Sequence, residues 1–169
     1  PDVAGSYNNL GTAYLRKGEY DKAIEYYEKA LEIQLKSLGG KHSDVAENYS
    51  GLGTAYYHKG EHDKAIEYCE KALEIWLKSL GNDHPDVTDG YSGLGAAYLS
   101  KGEYDKAIEY NEKALEIQLK SLGNEHPNVA LSFNNLGAAH QSKGEYDKAI
   151  EYYEKALKIW LKFLGNEHP

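Results

Sequence analysis

Apolar positions return along this chain with two periods, one nested in the other, and the short one is helical. Val3, Tyr7, Leu10, Gly11 and Tyr14 recur at steps of 4, 3, 1 and 3, which puts them on one stripe of a 3.6-residue helix. Past Gly18 a second stripe runs from about Asp21 to Leu38. Ala23, Ile24, Tyr27, Ala30, Leu31, Leu35 and Leu38 share its face, and Glu25 with Lys29 and Glu32 with Lys36 form i,i+4 pairs opposite. Gly18 and Gly39 suit the ends of the two segments, so the pattern predicts two antiparallel helices, A and B.

The long period is 42 residues: the phrase Asp-Lys-Ala-Ile-Glu-Tyr begins at Asp21, Asp63, Asp105 and Asp147 without a slip. Units 1–42, 43–84, 85–126 and 127–168 leave only Pro169, which would open a fifth, so the chain reads as a segment cut in phase from a longer array. Later A helices are expected to begin after His42, His84 and His126, with Pro85 and Pro127 at the first helical position, and His168 repeats the signal. Ordering one 42-residue hairpin costs on the order of 60 kcal/mol in conformational entropy. A lone hairpin cannot cover both of its stripes, whereas stacked hairpins cover each other's. The expected architecture is therefore all-α, a curved α-solenoid forming one continuous domain.

Composition narrows the function. The 16 Tyr dominate the aromatics, with 2 Phe, 2 Trp and no Met, which favours rings with one packed and one wet edge. Net charge is −8 and the lysines are interleaved with acids, which argues against a nucleic acid partner. No apolar run approaches the roughly 20 residues that span a bilayer, so no membrane partner is expected. Cys69 is the single cysteine, so no internal disulfide forms, and the cytoplasm is the expected location.

The residues that carry the repeat, Leu10, Gly11, Ala13, Tyr14, Gly18, Tyr20, Ala23 and Ala30, resemble the signature of the tetratricopeptide repeat (TPR), and all four units carry it with minor changes. The ordinary member has about 34 residues and a proline closing helix B. Here Leu35 stands at that place, and links such as Leu80 to Val87 resemble the longer subclass of kinesin light chains and of sensor arrays in some signalling ATPases. Asn111 and Cys69 depart from the pattern where Tyr27 and Tyr153 hold a large core aromatic, so unit 3 is expected to be locally weaker or to bind a water there.

The resemblance implies a right-handed superhelix whose concave groove is lined by helix A and binds a peptide segment of a partner protein. The candidate groove residues are Asn8, Asn9, Thr12 and Arg16 in unit 1, with Ser50, Thr54, Tyr57 and His58 in unit 2. Ser92 and Leu99 follow in unit 3, and Asn134, Asn135 and Gln141 in unit 4. The same columns include Gly5, Glu47, Asp89 and Leu131. All six groove columns vary between units, while the outer helix B columns starting at Lys22, Glu25, Glu28 and Lys29 are identical in all four. Diversified recognition and relaxed constraint both produce that contrast. Asn9 and Asn135 are implied to pair with a peptide backbone, although Gly51 and Gly93 interrupt the ladder; the alternative is a surface amide bonded to water.

No catalytic or cofactor role is expected. The four histidines recur once per unit, about 10 Å apart by helix spacing, too far to share a metal, and read as helix-start residues. Gly51-Leu52-Gly53 and Gly93-Leu94-Gly95 fall inside helices, with no strand before them. Trp76 and Trp160, alternating with Gln34 and Gln118, read as core or ridge residues, and Cys69 as a small core residue. Three readings follow: a non-catalytic peptide-binding scaffold, a structural array stacking end to end through exposed terminal repeats as a homo-oligomer, or the sensor arm of a larger signalling ATPase.

Overall fold

The computed structural model describes residues 2–40 and 42–167. Eight helices follow in order: α1 (Asp2–Lys17), α2 (Tyr20–Ser37), α3 (Ser43–Lys59), α4 (His62–Ser79), α5 (Pro85–Lys101), α6 (Tyr104–Leu122), α7 (Pro127–Lys143) and α8 (Tyr146–Glu167). The odd helices are the predicted A helices and the even ones the B helices. Each odd helix from α3 onward starts from a histidine N-cap: the ring Nδ1 of His42, His84 and His126 accepts the backbone N–H of Asp44, Asp86 and Asn128 at 3.3, 3.3 and 3.1 Å. The histidines thus satisfy otherwise orphaned helix donors; His168 lies outside the described residues. Gly60, at φ 82°, closes α3 in the left-handed conformation, its N–H shared between the Tyr56 and Tyr57 carbonyls.

Within each unit the two helices pack on each other, and each B helix packs on the next A helix. Successive A helices also touch, α1 with α3, α3 with α5 and α5 with α7, whereas among the described residues no B helix touches the next. The A helices are therefore the closer-spaced layer, and the stack curves toward them. Lysines staple the units at the surface: Lys59 bridges its own unit's Glu61 and the preceding unit's Asp21, and Lys101 and Lys143 repeat the arrangement. Such exposed pairs are each worth about 0.2–1 kcal/mol.

The core runs between the layers. Val45, Leu52, Val87, Leu94, Val129 and Leu136 are completely buried. Many of the tyrosines belong to a second repeating contact, in which Tyr14 stacks on Tyr26, Tyr56 on Tyr68 and Tyr98 on Tyr110 at 5.3–5.5 Å with nearly parallel rings. His140 takes the first place of that pair in unit 4, stacking on Tyr152.

Two sequence expectations are corrected. The unit 1 stripe is not wholly buried: Val3 and Leu10 are 60% and 41% exposed because no described helix precedes α1. On α2, Leu35 and Leu38 are exposed rim residues, and the buried face runs through Ala23, Tyr27, Ala30 and Gln34 at steps of three and four. A glutamine, not a leucine, continues the stripe because it meets a polar partner on α3.

Candidate functional site

Each junction between a B helix and the next A helix has its own pair of interlocking side chains. Between units 1 and 2, buried Asn48 donates from Nδ2 to Gln34 Oε1 and to the Asp44 carbonyl, and its Oδ1 accepts from Asn8 Nδ2 at 3.1 Å. Between units 2 and 3, the indole of Trp76 fills the glutamine's place and Gly90 the asparagine's. Between units 3 and 4, Ser132 Oγ donates to Gln118 Oε1 at 2.6 Å. A polar side chain meets a polar one, and the large ring meets the residue without a side chain.

The Trp76 junction opens onto the concave face. A cavity of about 350 Å³ lies there, lined by Asn8 and Thr12 of α1, Glu47 and Ser50 of α3, and Asp86 and Asp89 of α5, with Tyr27 and Trp76 reaching through from the B layer. Tyr27 Oη is 3.1 Å from Thr12 Oγ1. Three carboxylates and no basic side chain line the cavity. Burial raises the Glu47 carboxyl above its ordinary range, with Asp44 and Asp86 adding to the effect and His42 opposing it. Burial likewise raises Asp89, again with Asp86 adding.

Of the sequence-derived groove residues, the structure gathers Asn8, Thr12 and Ser50 into this cavity. Asn9, Arg16, His58, Asn135 and Gln141 are exposed on the A layer outside it, and Ser92 and Asn134 are half-buried. Several have local partners. Thr54 Oγ1 donates to the Ser50 carbonyl, Tyr57 Oη accepts from Ser100 Oγ at 3.4 Å, and Gln141 Oε1 accepts from Tyr153 Oη at 2.8 Å. Leu99 packs against the core, and His58 stacks on Tyr20.

The break in the asparagine ladder has a steric cause at Gly51 but not at Gly93, where a Cβ would meet only Cys69 Sγ at 3.7 Å. A Cβ on Gly51 would stand 2.6 Å from the Tyr27 ring, so no asparagine fits there. Glu47, Asp89 and Trp76 were visible in the sequence but not singled out as binding residues. Their signal was the alternation of Trp and Gln on helix B against Asn, Gly and Ser on the following helix A.

Among the described residues no group of three His, Cys, Asp or Glu side chains could hold a metal ion, and no helix is long and apolar enough to cross a membrane. Burial, with Glu70 adding, pushes the Cys69 thiol up to about 11.

The profile of the tetratricopeptide repeat matches residues 2–68, 44–120 and 86–162. Among curated proteins none matches the chain. Among solved structures, BtubC (BKLC) from P. vanneervenii is similar over 96% of this chain and 65% of its own, at 30% identity and a TM-score of 0.89. This chain thus spans just under two thirds of that relative's length. A Podosopora anserina protein of nearly identical TPR-like repeats, described as a kinesin light chain, is similar over 97% of this chain and 78% of its own, at 32% identity and a TM-score of 0.84. MamA aligns over 98% of this chain and 82% of its own, at 28% identity and a TM-score of 0.73. With the profile covering nearly every residue and the geometry matching, the chain belongs to the tetratricopeptide repeat family, whose arrays generally serve as non-catalytic scaffolds for protein–protein interaction.

Proposed function

We propose that the chain is a scaffold that holds a peptide segment of a partner protein along its concave A-helix face. The observation that carries this reading is the cavity of about 350 Å³ between units 1 and 3, where side chains from three A helices and two B helices converge. Asn8, Thr12 and Ser50 supply hydroxyl and amide groups that meet backbone donors and acceptors without reading a particular side chain. Cavities of about 280–330 Å³ also lie on the B-helix side, each between one B helix and a neighbouring link and lined by lysines. There Lys29, Lys71, Lys113 and Lys155 are each engaged by the glutamate four residues before them.

The test is to fill the cavity. Ser50→Tyr should abolish binding of a peptide selected on the native chain, while Glu67→Ala on the outer surface should leave it unchanged. Equal effects of the two substitutions would refute the reading. Asn9→Ala with Asn135→Ala asks whether contact extends beyond the cavity, and a groove-long segment should lose affinity.

A second reading, end-to-end association, is favoured by the outer face of α8, where Ile150, Leu157, Leu161 and Leu164 are each 50–62% exposed. At internal junctions the places of Ile150 and Leu157 are covered by the next A helix, as at Ile24, Ile66 and Leu73, while those of Leu161 and Leu164 remain at the rim, and α1 presents exposed Val3 and Leu10 at the other end. Such a head-to-tail contact does not close on itself. Sedimentation should show mass rising with concentration, and a monomer up to millimolar protein would exclude it.

A further inference from the structure

The two ends of the stack carry the two halves of a junction that the molecule closes internally at α2 with α3, α4 with α5 and α6 with α7. On α3 the stripe that meets the preceding B helix, Val45, Leu52 and Ala55, is completely buried, and α5 and α7 repeat the pattern. On α1 the same stripe, Val3, Ser6, Leu10 and Ala13, lies open. At the far end Ile150 and Leu157 are 55% and 56% exposed, where Ile66 and Leu73 in the same places on α4 are 7% and 6% exposed. The face that an A helix covers at each internal junction is thus bare on α8, and the stripe that covers it is bare on α1.

A second, independent observation is electrostatic. At each internal junction the lysine ending an A helix reaches back to an aspartate of the preceding B helix: Lys59 to Asp21 at 2.8 Å, Lys101 to Asp63 at 2.9 Å and Lys143 to Asp105 at 2.8 Å. The pattern leaves one lysine and one aspartate over. Among the described residues Lys17 is held only by Glu19, as Lys59 is by Glu61, and Asp147 makes no ion pair. Lys17 continues the open stripe of α1, four residues after Ala13, and Asp147 stands three residues before Ile150 on α8. A cation and an anion thus flank matching apolar faces at opposite ends of one chain.

We propose that α8 receives the α1 of a second copy in the register of the internal junctions, with Asp147 taking Lys17, and Ile150 and Leu157 lying against the stripe from Val3 to Ala13. The inference rests on the end-to-end reading and fixes its register and its weak point. Pairing α8 with a second α8 would bring two apolar faces together but leave both Asp147 side chains and both Lys17 side chains unmatched. In the head-to-tail register Trp160 stands where Trp76 does, and Ser6 where Gly90 does. At the internal junction even a Cβ on Gly90 would lie 3.2 Å from Leu73 Cδ1 and 3.5 Å from Trp76 Cε3. A serine in that place is met by a glutamine instead, as Ser132 is by Gln118. The joint between copies sets a large ring against a side chain, so it is weaker than the internal junctions and reversible.

The test blocks one end at a time and follows mass by sedimentation at about 0.15 M salt, where the repulsion between copies of net charge −8 is screened beyond roughly 8 Å. Leu10→Glu closes α1 and Leu157→Glu closes α8. Each variant alone should stay monomeric, while their mixture should form a dimer with one copy of each and stop there. Ser6→Gly should tighten the native association by roughly fivefold or more, the low end of what overpacking costs. Asp147→Lys should weaken it by roughly threefold, the scale of an exposed ion pair. Both leucines are exposed in the free chain, so both variants should fold; if circular dichroism shows otherwise, Val3→Glu or Ile150→Lys blocks the same end instead. If Leu10→Glu still dimerises alone, α8 meets α8 and the register falls while the end-to-end reading stands. No gain from Ser6→Gly has the same meaning, and a mixture that stays monomeric also overturns the register. A native chain that is monomeric up to millimolar protein removes both.

Discussion

The Tyr27 ring passes 2.6 Å from the point at which a Cβ on Gly51 would stand, and it is held on its other flank by Gly11 at 2.8 Å. Two glycines on successive A helices thus flank one buried ring of the B helix between them. Gly51→Ala should cost about 1–3 kcal/mol, because a stiff ring in a filled core must move. Gly5→Ala, with nothing within 4 Å of its Cβ, should stabilise by about 0.5–1 kcal/mol through helix propensity. Thermal unfolding of the two variants checks the sign of each.

The junction pairs should be exchangeable only together. Gln34→Trp alone drives a ring into Asn48, and Asn48→Gly alone leaves Gln34 Oε1 and Asn8 Nδ2 without their partner. Each single change should destabilise by about 1–3 kcal/mol. The double variant copies the Trp76 and Gly90 junction, and its cost should fall below the sum of the singles by about 1 kcal/mol or more. Additive costs in a denaturant double-mutant cycle would show that the pairs are not coupled.

These junctions also mark where sequence reading ran out. Period, helix faces and glycine caps were legible because each follows from local spacing, and the 42-residue step put every unit in the same frame. Leu35 was misplaced on the buried face, and the reason for a glutamine at the Gln34 place stayed hidden, because hydropathy cannot say that a glutamine has an asparagine waiting on the next helix. The groove columns of α1 and α3 were legible as a surface. That Glu47, Asp89 and Trp76 line one cavity was not, because it depends on α3, α4 and α5 meeting at one wall. Asn9 and Asn135 drew notice as residue types, yet Gly51 shows that this column is also shaped by the core behind it.

Cys69 should be slow to react. With its thiol pushed up to about 11, little thiolate exists near neutrality. Alkylation by iodoacetamide in the folded chain should be far slower than in urea at pH 8, and should rise with each step in pH up to 10. A rate that levels off between pH 8 and 9 would contradict the buried setting.

The groove carboxylates should cost stability at neutral pH. Folding raises the Glu47 and Asp89 carboxyls, so their stabilising share is present below the unfolded carboxylate range and is lost as pH rises through their folded values. Asp44, Asp86 and His42 are the charged groups facing Glu47, and Asp86 faces Asp89. Glu47→Gln with Asp89→Asn should therefore stabilise the free chain at pH 7, by about 0.5 kcal/mol once solvent screening is allowed for, and bring no gain at pH 3. A loss of stability at pH 7 would mean that the charged carboxylates help hold the fold.

The most direct measurement follows the backbone amides by NMR while a peptide selected on the chain is added. The account predicts changes grouped at Asn8, Thr12, Glu47, Ser50 and Asp89 on the concave face. A concave face that stays in place while the outer faces of α2, α4 and α6 respond would contradict it.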